Sequence, residues 1–197
     1  MRTIVISAYP CCGKSFLYEN WKDQCTILDS DSSNFSWVTR KRTEAELQLI
    51  RKQWDDEGHL LSGEGYINQI KDEYIKVRNP EFPNNYIKHI KDNLGKADII
   101  LVSSHLSVRQ AMQDAGIKFV TVYPSRECMH EWIGRMVSRE DPKSFIDFQM
   151  RNWDLFHSTI FDEPYGEDII WLHHNQYLFD VIYDIIGSFY YKYKMKD

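Results

Sequence analysis

Short apolar runs closed by turn residues recur along the chain and predict buried β-strands. Five such runs lie at residues 3–7, 26–28, 97–103, 118–123 and 168–172. Patterns typical of helices lie between and after them, at residues 15–21, 107–115, 142–160 and 176–194. Because strands alternate with helices, the chain is predicted to form a three-layer α/β fold with a five-stranded parallel sheet.

One stretch breaks this alternation. Between residues 39 and 94 no strand is predicted, and glycine and proline residues separate helical patterns instead. These patterns lie at residues 44–57, 64–77 and 84–94. The stretch therefore predicts a helical insertion, at about residues 39–95, between the second and third strands of a single domain.

The segment after the first strand carries a phosphate-binding motif. Residues 8–15 read AYPCCGKS, which matches the pattern GxxxxGK[ST] except that Ala8 stands at the first glycine. Gly13 lets the backbone approach a phosphate, Lys14 brings a cation to the β- and γ-phosphates, and the Ser15 hydroxyl can coordinate Mg2+. The strand before and the helix after the motif argue against a chance turn. The residues predicted to bind the nucleoside triphosphate are Tyr9, Pro10, Cys11, Cys12, Gly13, Lys14, Ser15 and Phe16.

Two adjacent cysteines lie inside this loop. One interpretation gives Cys11 and Cys12 a thiol of low pKa near a helix N-terminus. The favoured interpretation is that only their backbone amides matter, because no CxxC pair is present among the four cysteines. All four are expected to be reduced thiols.

Acidic residues follow the second strand. Asp29 and Asp31 are separated by one residue and end a strand whose carboxyl edge should face the phosphate loop. Asp29 is predicted to bind Mg2+ together with Ser15. Asp31 is predicted to contact the acceptor, meaning the molecule that receives the phosphate of the triphosphate, and either carboxylate could serve as a base. The alternative is an ordinary polar turn. The third strand ends in Ser103-Ser104-His105 with no acidic residue. His105 is predicted to contact a phosphate or the acceptor; the alternative is that it caps the next helix or lies at the surface.

Phosphoryl transfer needs positive charge around the migrating group. Arg135 and Arg139 are four residues apart in a lid-like segment at about residues 125–141, and they are predicted to be catalytic. The alternative is a solvated basic face. Phe35, Trp37 and Arg78 are predicted to bind the acceptor, although core packing is the commoner fate of such rings.

Composition sets limits on the partners. The net charge of −5 disfavours non-specific binding to duplex nucleic acid, and the 43% of apolar residues can build a packed core. No apolar run is long enough to span a membrane, and residues 1–8 lack the features of a signal peptide. A cytoplasmic protein that binds neither duplex nucleic acid nor a membrane is therefore expected, and its oligomeric state is left open. The phosphate loop, the carboxylates, the arginines and the helical insert, rather than the composition, predict a small-molecule nucleotide as the acceptor.

Taken together, these residues resemble P-loop kinases of the nucleoside monophosphate kinase type, and most of all small nucleotide-kinase-like proteins of bacteriophages. The resemblance is carried by the segments ISAYPCCGKS, LDSDSSNFSW, RNPEFPNNYI and IILVSSH, and by the arginines that follow VTVYPS. It implies a P-loop NTPase fold, an acceptor-binding helical insert and an arginine-bearing lid that closes on ATP and Mg2+.

Three functions remain open from the sequence. The first is transfer of the γ-phosphate of ATP to a (deoxy)nucleoside monophosphate. The second is a kinase acting on a hydroxyl of a polynucleotide 5′ end, a modified nucleoside or a metabolite, for which Asp29 or Asp31 would supply the base. The third is a nucleotide-binding switch or NTPase, which ranks last because no acidic residue ends the third strand.

Overall fold

Five parallel strands form the central sheet of the protein. The computed structural model describes residues 3–56, 73–162, 165–166 and 168–194. Seven strands are described in these ranges: β1 (Ile4–Ala8), β2 (Ile27–Asp29), β3 (Trp37–Lys41), β4 (Tyr74–Arg78), β5 (Ile99–Ser103), β6 (Phe119–Pro124) and β7 (Asp168–Leu172). The order β2-β5-β1-β6-β7 forms the parallel sheet, as predicted.

The described helices alternate with these strands. They are α1 (Lys14–Trp21), α2 (Ser33–Ser36), α3 (Glu44–Asp56), α4 (Asn84–Asn93), α5 (Leu106–Asp114), α6 (Met129–Ser138), α7 (Lys143–Arg151), α8 (Trp153–Asp162) and α9 (Leu178–Lys194). Strands β1 and β6 are buried along their whole length, because helices cover both faces of the sheet. The predicted three-layer α/β fold is therefore confirmed.

The described chain forms two compact units. Residues 33–82 form the second unit, and the rest of the described chain forms the first. Helix α4 belongs to the first unit, so the second is shorter than the predicted insertion at residues 39–95.

An antiparallel pair of strands organises the second unit. Strands β3 and β4 run antiparallel, with Trp37 opposite Arg78. Helix α3 begins with a capping box, in which the Glu46 carboxylate accepts a hydrogen bond from the Thr43 amide at 2.8 Å and Thr43 Oγ1 accepts one from the Glu46 amide at 3.3 Å. This supports the predicted helix at residues 44–57 over its described part.

The prediction that no strand lies between residues 39 and 94 is wrong. Residues 74–78 were expected to end a helix at 64–77, but they alternate between exposed and half-buried positions and pair with β3. Such a period of two suits a strand. Residues 64–72 of that predicted helix lie outside the described residues.

The predicted helix at residues 142–160 is divided into α7 and α8. Asn152 lies at the division, with φ −106° and ψ 10°. Its side-chain amide donates a hydrogen bond to the carbonyl of Phe148 at 2.8 Å, and so competes with the helical hydrogen bonds of the backbone. Two short helices thus pack where one was expected.

No helix in the described ranges has the length and apolar character needed to cross a bilayer.

Candidate functional site

The phosphate loop joins β1 to α1 at the carboxyl edge of the sheet. The Tyr9 amide donates to the carbonyl of Val122 on the neighbouring β6 at 3.0 Å, which fixes the start of the loop. Gly13 has φ 89°, in the left-handed region that favours glycine. A Cβ at this position would also lie 3.3 Å from Cδ1 of Tyr177. The motif therefore needs its second glycine for both conformation and space.

Ala8 explains the departure from the standard motif. It is the last residue of β1, fully buried, and its backbone is extended in the strand. The left-handed residue before Gly13 is instead Cys11, with φ 61°. The position of the first glycine is thus one that alanine can occupy without strain.

The ammonium group of Lys14 is folded against the loop. Its Nζ donates to the carbonyls of Ala8 at 2.8 Å and Tyr9 at 3.3 Å. Burial lowers the pKa of Lys14, although the nearby Cys12 and Asp29 act in the opposite direction. A bound phosphate would give this partly desolvated cation a strong counter-charge.

Ser15 and Asp29 meet as the sequence predicted. Ser15 Oγ donates to Asp29 Oδ2 at 3.1 Å, so the helix start and the end of β2 present two oxygen ligands side by side. Hydroxyl and carboxylate oxygens are suitable ligands for Mg2+, and this donor set fits the ion. The hydrogen bond to Asp141 raises the pKa of Arg139, and the charge of Asp31 adds to this effect. Asp31 lies two residues beyond Asp29, after the end of β2, and is exposed.

A cavity of about 690 Å3 opens beside the phosphate loop. We call it the first cavity. It lies between the loop, helix α6 and the turn that follows β7. Its lining residues are Cys11, Gly13, Lys14, Ser15, Phe16, Glu131, Gly134, Arg135, Ser138, Arg139, Asn175 and Tyr177. Both arginines predicted to be catalytic thus face one cavity together with the phosphate loop.

Arg135 is held between two aromatic rings. Its guanidinium carbon lies 3.8 Å from the ring centroids of Trp132 and Tyr177. Its Nη2 donates to the Glu131 carboxylate and, at 3.0 Å, to the carbonyl of Gln176. The side chain is only 10% exposed, so the alternative of a solvated basic face is wrong for this residue.

Glu131 ties α6 to the turn after β7. Its carboxylate accepts hydrogen bonds from His174 Nδ1 at 2.8 Å and from the Asn175 amide at 3.1 Å, in addition to Arg135. Burial tends to raise the pKa of Glu131, but the hydrogen bonds from His174, Arg135 and Asn175 together hold this pKa below its ordinary value. The carboxylate thus positions two residues that line the first cavity.

Arg139 is more exposed than Arg135. Its Nε and Nη2 form a bidentate pair with the Asp141 carboxylate, with contacts of 3.0 and 2.7 Å. This pairing fixes the side chain at the edge of the first cavity, where it adds positive charge.

The loop cysteines are structural. Burial raises the pKa of Cys12 to about 12, and burial also raises the pKa of Cys11. The alternative of a low-pKa thiol is therefore wrong. All four cysteines are free. The backbone of the loop is anchored here, because Trp132 Nε1 donates to the carbonyl of Pro10 at 3.1 Å and the Leu178 amide donates to that of Cys12 at 2.8 Å.

A second cavity, of about 350 Å3, is also lined by Lys14. Its lining residues are Ala8, Tyr9, Pro10, Lys14, Ser103, Ser104, His105, Leu106, Arg109, Tyr123, Phe148, Gln149, Leu155, Phe156 and Thr159. The side chains of Tyr9 and Pro10 thus belong to this second cavity. His105 is the N-cap of α5 and also lines it, although its side chain makes no capping hydrogen bond.

The remaining residues predicted to bind the acceptor belong to the second unit. Arg78 lies 5.4 Å from the ring centroid of Trp37 and 5.1 Å from that of Phe82, and the carbonyl of Phe35 accepts a hydrogen bond from Asn79 at 2.9 Å. Their role in acceptor binding stays a prediction.

Sequence reasoning missed several residues of the two cavities. Asn175 and Tyr177 follow β7, and the rule that ligands bind at the carboxyl ends of parallel strands could have identified them. Arg109 and Gln149 lie on helices, and no local signal distinguishes them from other polar helical residues.

Comparisons with known proteins leave the family open. No protein-family model matches the sequence, and no curated protein matches it. Among solved structures, the chain is similar to a gluconokinase from Sinorhizobium meliloti 1021, with a TM-score of 0.47 and 16% sequence identity over 97% of each chain. A similarity at this level carries no information on activity or substrate.

Proposed function

We propose that the protein is an ATP-dependent phosphotransferase that uses Mg2+ and phosphorylates a (deoxy)nucleoside monophosphate. The observation that carries this proposal is the 3.1 Å contact between Ser15 and Asp29, beside Lys14 in the phosphate loop. It joins a hydroxyl, a carboxylate and a cation at one point, and these are the groups that a metal-bound triphosphate requires.

The residues of the first cavity have distinct tasks in this proposal. The backbone amides of the loop bind the phosphates, and Lys14 moves from the carbonyls of Ala8 and Tyr9 to phosphate oxygens. Ser15 and Asp29 would hold Mg2+, which would supply positive charge beside the phosphates. Arg139 lies at the cavity edge, where its charge stabilises the transferred group.

A hydroxyl acceptor is the second candidate, and one observation favours it. Asp29 is engaged with Ser15, whereas Asp31 lies two residues further on and is exposed. A hydroxyl must lose a proton during transfer, and a carboxylate next to the metal site is a suitable base. A monophosphate acceptor is already ionised and needs no base.

Transfer from γ-labelled ATP tests the proposal directly. The acceptor panel contains all (d)NMPs, nucleosides, sugar acids and a 5′-hydroxyl oligonucleotide. Label on a (d)NMP is the expected result. Label only on a hydroxyl acceptor, lost in Asp31→Asn, would favour the second candidate. Release of inorganic phosphate alone would indicate an NTPase or switch and refute the kinase proposal.

Two variants make this test specific for the site. Lys14→Ala should abolish transfer, whereas Lys22→Ala, at the exposed end of α1, should leave it unchanged. Asp29→Asn should raise the Mg2+ concentration for half-maximal activity about ten-fold or more, because a charged ligand becomes neutral. An unchanged Mg2+ dependence would remove Asp29 from the metal site.

A further inference from the structure

Lys14 lines both cavities, and it is the one described residue that they share. A phosphate held at its ammonium group is therefore within reach of both cavities. The first cavity carries the loop residues that hold a triphosphate. The second cavity is placed to hold the molecule that receives the phosphate.

Four aromatic rings, from Tyr9, Tyr123, Phe148 and Phe156, line the second cavity together with polar side chains. The rings of Tyr9 and Tyr123 lie with centroids 4.5 Å apart, and Phe156 lies 5.7 Å from Phe148 and 6.5 Å from Tyr9. Tyr9 and Tyr123 are buried, whereas Phe148 is 49% exposed at the surface of α7. These rings offer faces on which a flat ligand can stack.

Two polar side chains of this cavity, Gln149 and Ser103, have hydrogen-bonding groups left for a ligand. The Tyr9 hydroxyl donates to Oε1 of Gln149, so the side-chain amide of Gln149 is turned with its Nε2 away from that bond. Ser103 Oγ is buried and makes no hydrogen bond to any described residue. Together they leave the NH2 group of Gln149 and the hydroxyl of Ser103 for a ligand with a polar edge.

A buried cation completes the wall. Arg109 is 1% exposed, and it donates to the carbonyl of Ser104 at 3.3 Å and to Thr159 Oγ1 at 3.5 Å. Its charge disfavours a cationic ligand and favours one with carbonyl or ring-nitrogen lone pairs.

We propose that the second cavity binds the acceptor through a flat heterocycle, a nucleobase, stacked against Phe148 and Phe156 and hydrogen-bonded to Gln149. A polyol has no flat face to stack on these rings, so it would forgo the contact with Phe148 and Phe156. This inference rests on the proposed function, in which the bound molecule receives the phosphate of ATP. The nucleobase of the acceptor would then bind at α7 and α8, and not at Trp37 as the sequence predicted.

Two pairs of variants test the inference. Phe148→Ala removes a half-exposed ring of the cavity, and Phe161→Ala removes a 64% exposed ring on α8 that lines neither cavity. Gln149→Glu keeps an oxygen that accepts the hydrogen bond from the Tyr9 hydroxyl but removes the N–H donor. Gln113→Glu, on α5, is the matched control. The KM for the acceptor and the KM for ATP are measured separately, and circular dichroism confirms that each variant is folded.

We expect Phe148→Ala and Gln149→Glu each to raise the acceptor KM about ten-fold, with the ATP KM unchanged. Both controls should behave like the wild type. If transfer occurs but these variants leave the acceptor KM unchanged while Trp37→Ala raises it, the inference is wrong and the proposed function stands. A sugar acid as the preferred acceptor would overturn it as well.

Direct binding separates the two proposals when no transfer is seen. Nucleosides and nucleoside monophosphates are titrated calorimetrically into wild type and Phe148→Ala. Binding that weakens in Phe148→Ala supports the cavity assignment even though the proposed function has failed. Absence of binding to the wild type, or binding equal in both proteins, overturns the assignment.

Discussion

Replacing Gly13 with alanine probes the central geometry of the phosphate loop. The backbone at this position has φ 89°, and forcing an L-residue into the left-handed region costs about 1–2 kcal/mol. The new Cβ would in addition lie 3.3 Å from Cδ1 of Tyr177. That ring is stacked on Arg135, so it cannot move without disturbing the pair. A rotation of the ring by about 30° from its rotamer adds roughly 0.5–1.5 kcal/mol.

Gly95→Ala is the matched control. Gly95 has φ 79°, and nothing lies within 4 Å of an added Cβ. Both substitutions remove the same flexibility from the unfolded chain, so their difference isolates the contact with Tyr177. In urea unfolding we expect Gly95→Ala to cost about 1–2 kcal/mol and Gly13→Ala roughly 0.5–1.5 kcal/mol more.

The same pair is compared for nucleotide binding. Isothermal titration with a non-hydrolysable ATP analogue should show affinity reduced about ten-fold or more for Gly13→Ala, because the added Cβ displaces phosphate-binding amides. Gly95→Ala should bind like the wild type. If the two variants lose equal stability and bind the analogue equally, the described loop does not form the nucleotide site.

Three further predictions follow from buried polar groups. Tyr9→Phe should lower the free energy of unfolding by about 1–3 kcal/mol, because the buried Gln149 carbonyl loses its donor; a loss below 0.5 kcal/mol would contradict this. The pKa of Glu131 is lowered in the folded protein, so its carboxylate stabilises the fold above its ordinary pKa, and this stabilisation is lost as the pH falls through the lowered value. The difference in unfolding free energy between wild type and Glu131→Gln should therefore shrink on acidification. A difference that does not change with pH would contradict this role of Glu131. Burial lowers the pKa of Lys14, and a bound phosphate should raise it again. Binding of ATP at alkaline pH should therefore be accompanied by uptake of a proton in the wild type but not in Lys14→Arg. Calorimetry in two buffers of different ionisation enthalpy measures this uptake.

The parallel sheet and the loop between β1 and α1 were accessible from sequence because their signals are local. Buried parallel strands are short apolar runs, and the phosphate loop is a contiguous motif. The meeting of Ser15 and Asp29 was also predictable, because the carboxyl ends of parallel strands converge. In each case one topological rule connected neighbouring elements.

What the sequence did not predict depends on pairing between distant segments. Strand β4 is short, and what identifies it as a strand is its pairing with β3, which precedes it by more than thirty residues along the chain. Arg135 is enclosed because Trp132 lies on its own helix and Tyr177 comes from beyond β7. Arg109 and Gln149 share one cavity although α5 and α7 carry no common pattern. Tertiary packing sets these positions, and no local propensity reports it.

The anchoring of the phosphate loop has a consequence for how the protein is made. The loop lies within the first fifteen residues, yet its backbone is held by Val122, Trp132 and Leu178. These contacts close over more than a hundred residues, and such contacts form late because the chain between them must first be ordered. During synthesis, the loop therefore leaves the ribosome long before its anchors exist. Nascent chains arrested before residue 178 should fail to bind nucleotide, whereas chains that expose α9 beyond the exit tunnel should acquire binding together with protection of β1 from proteolysis.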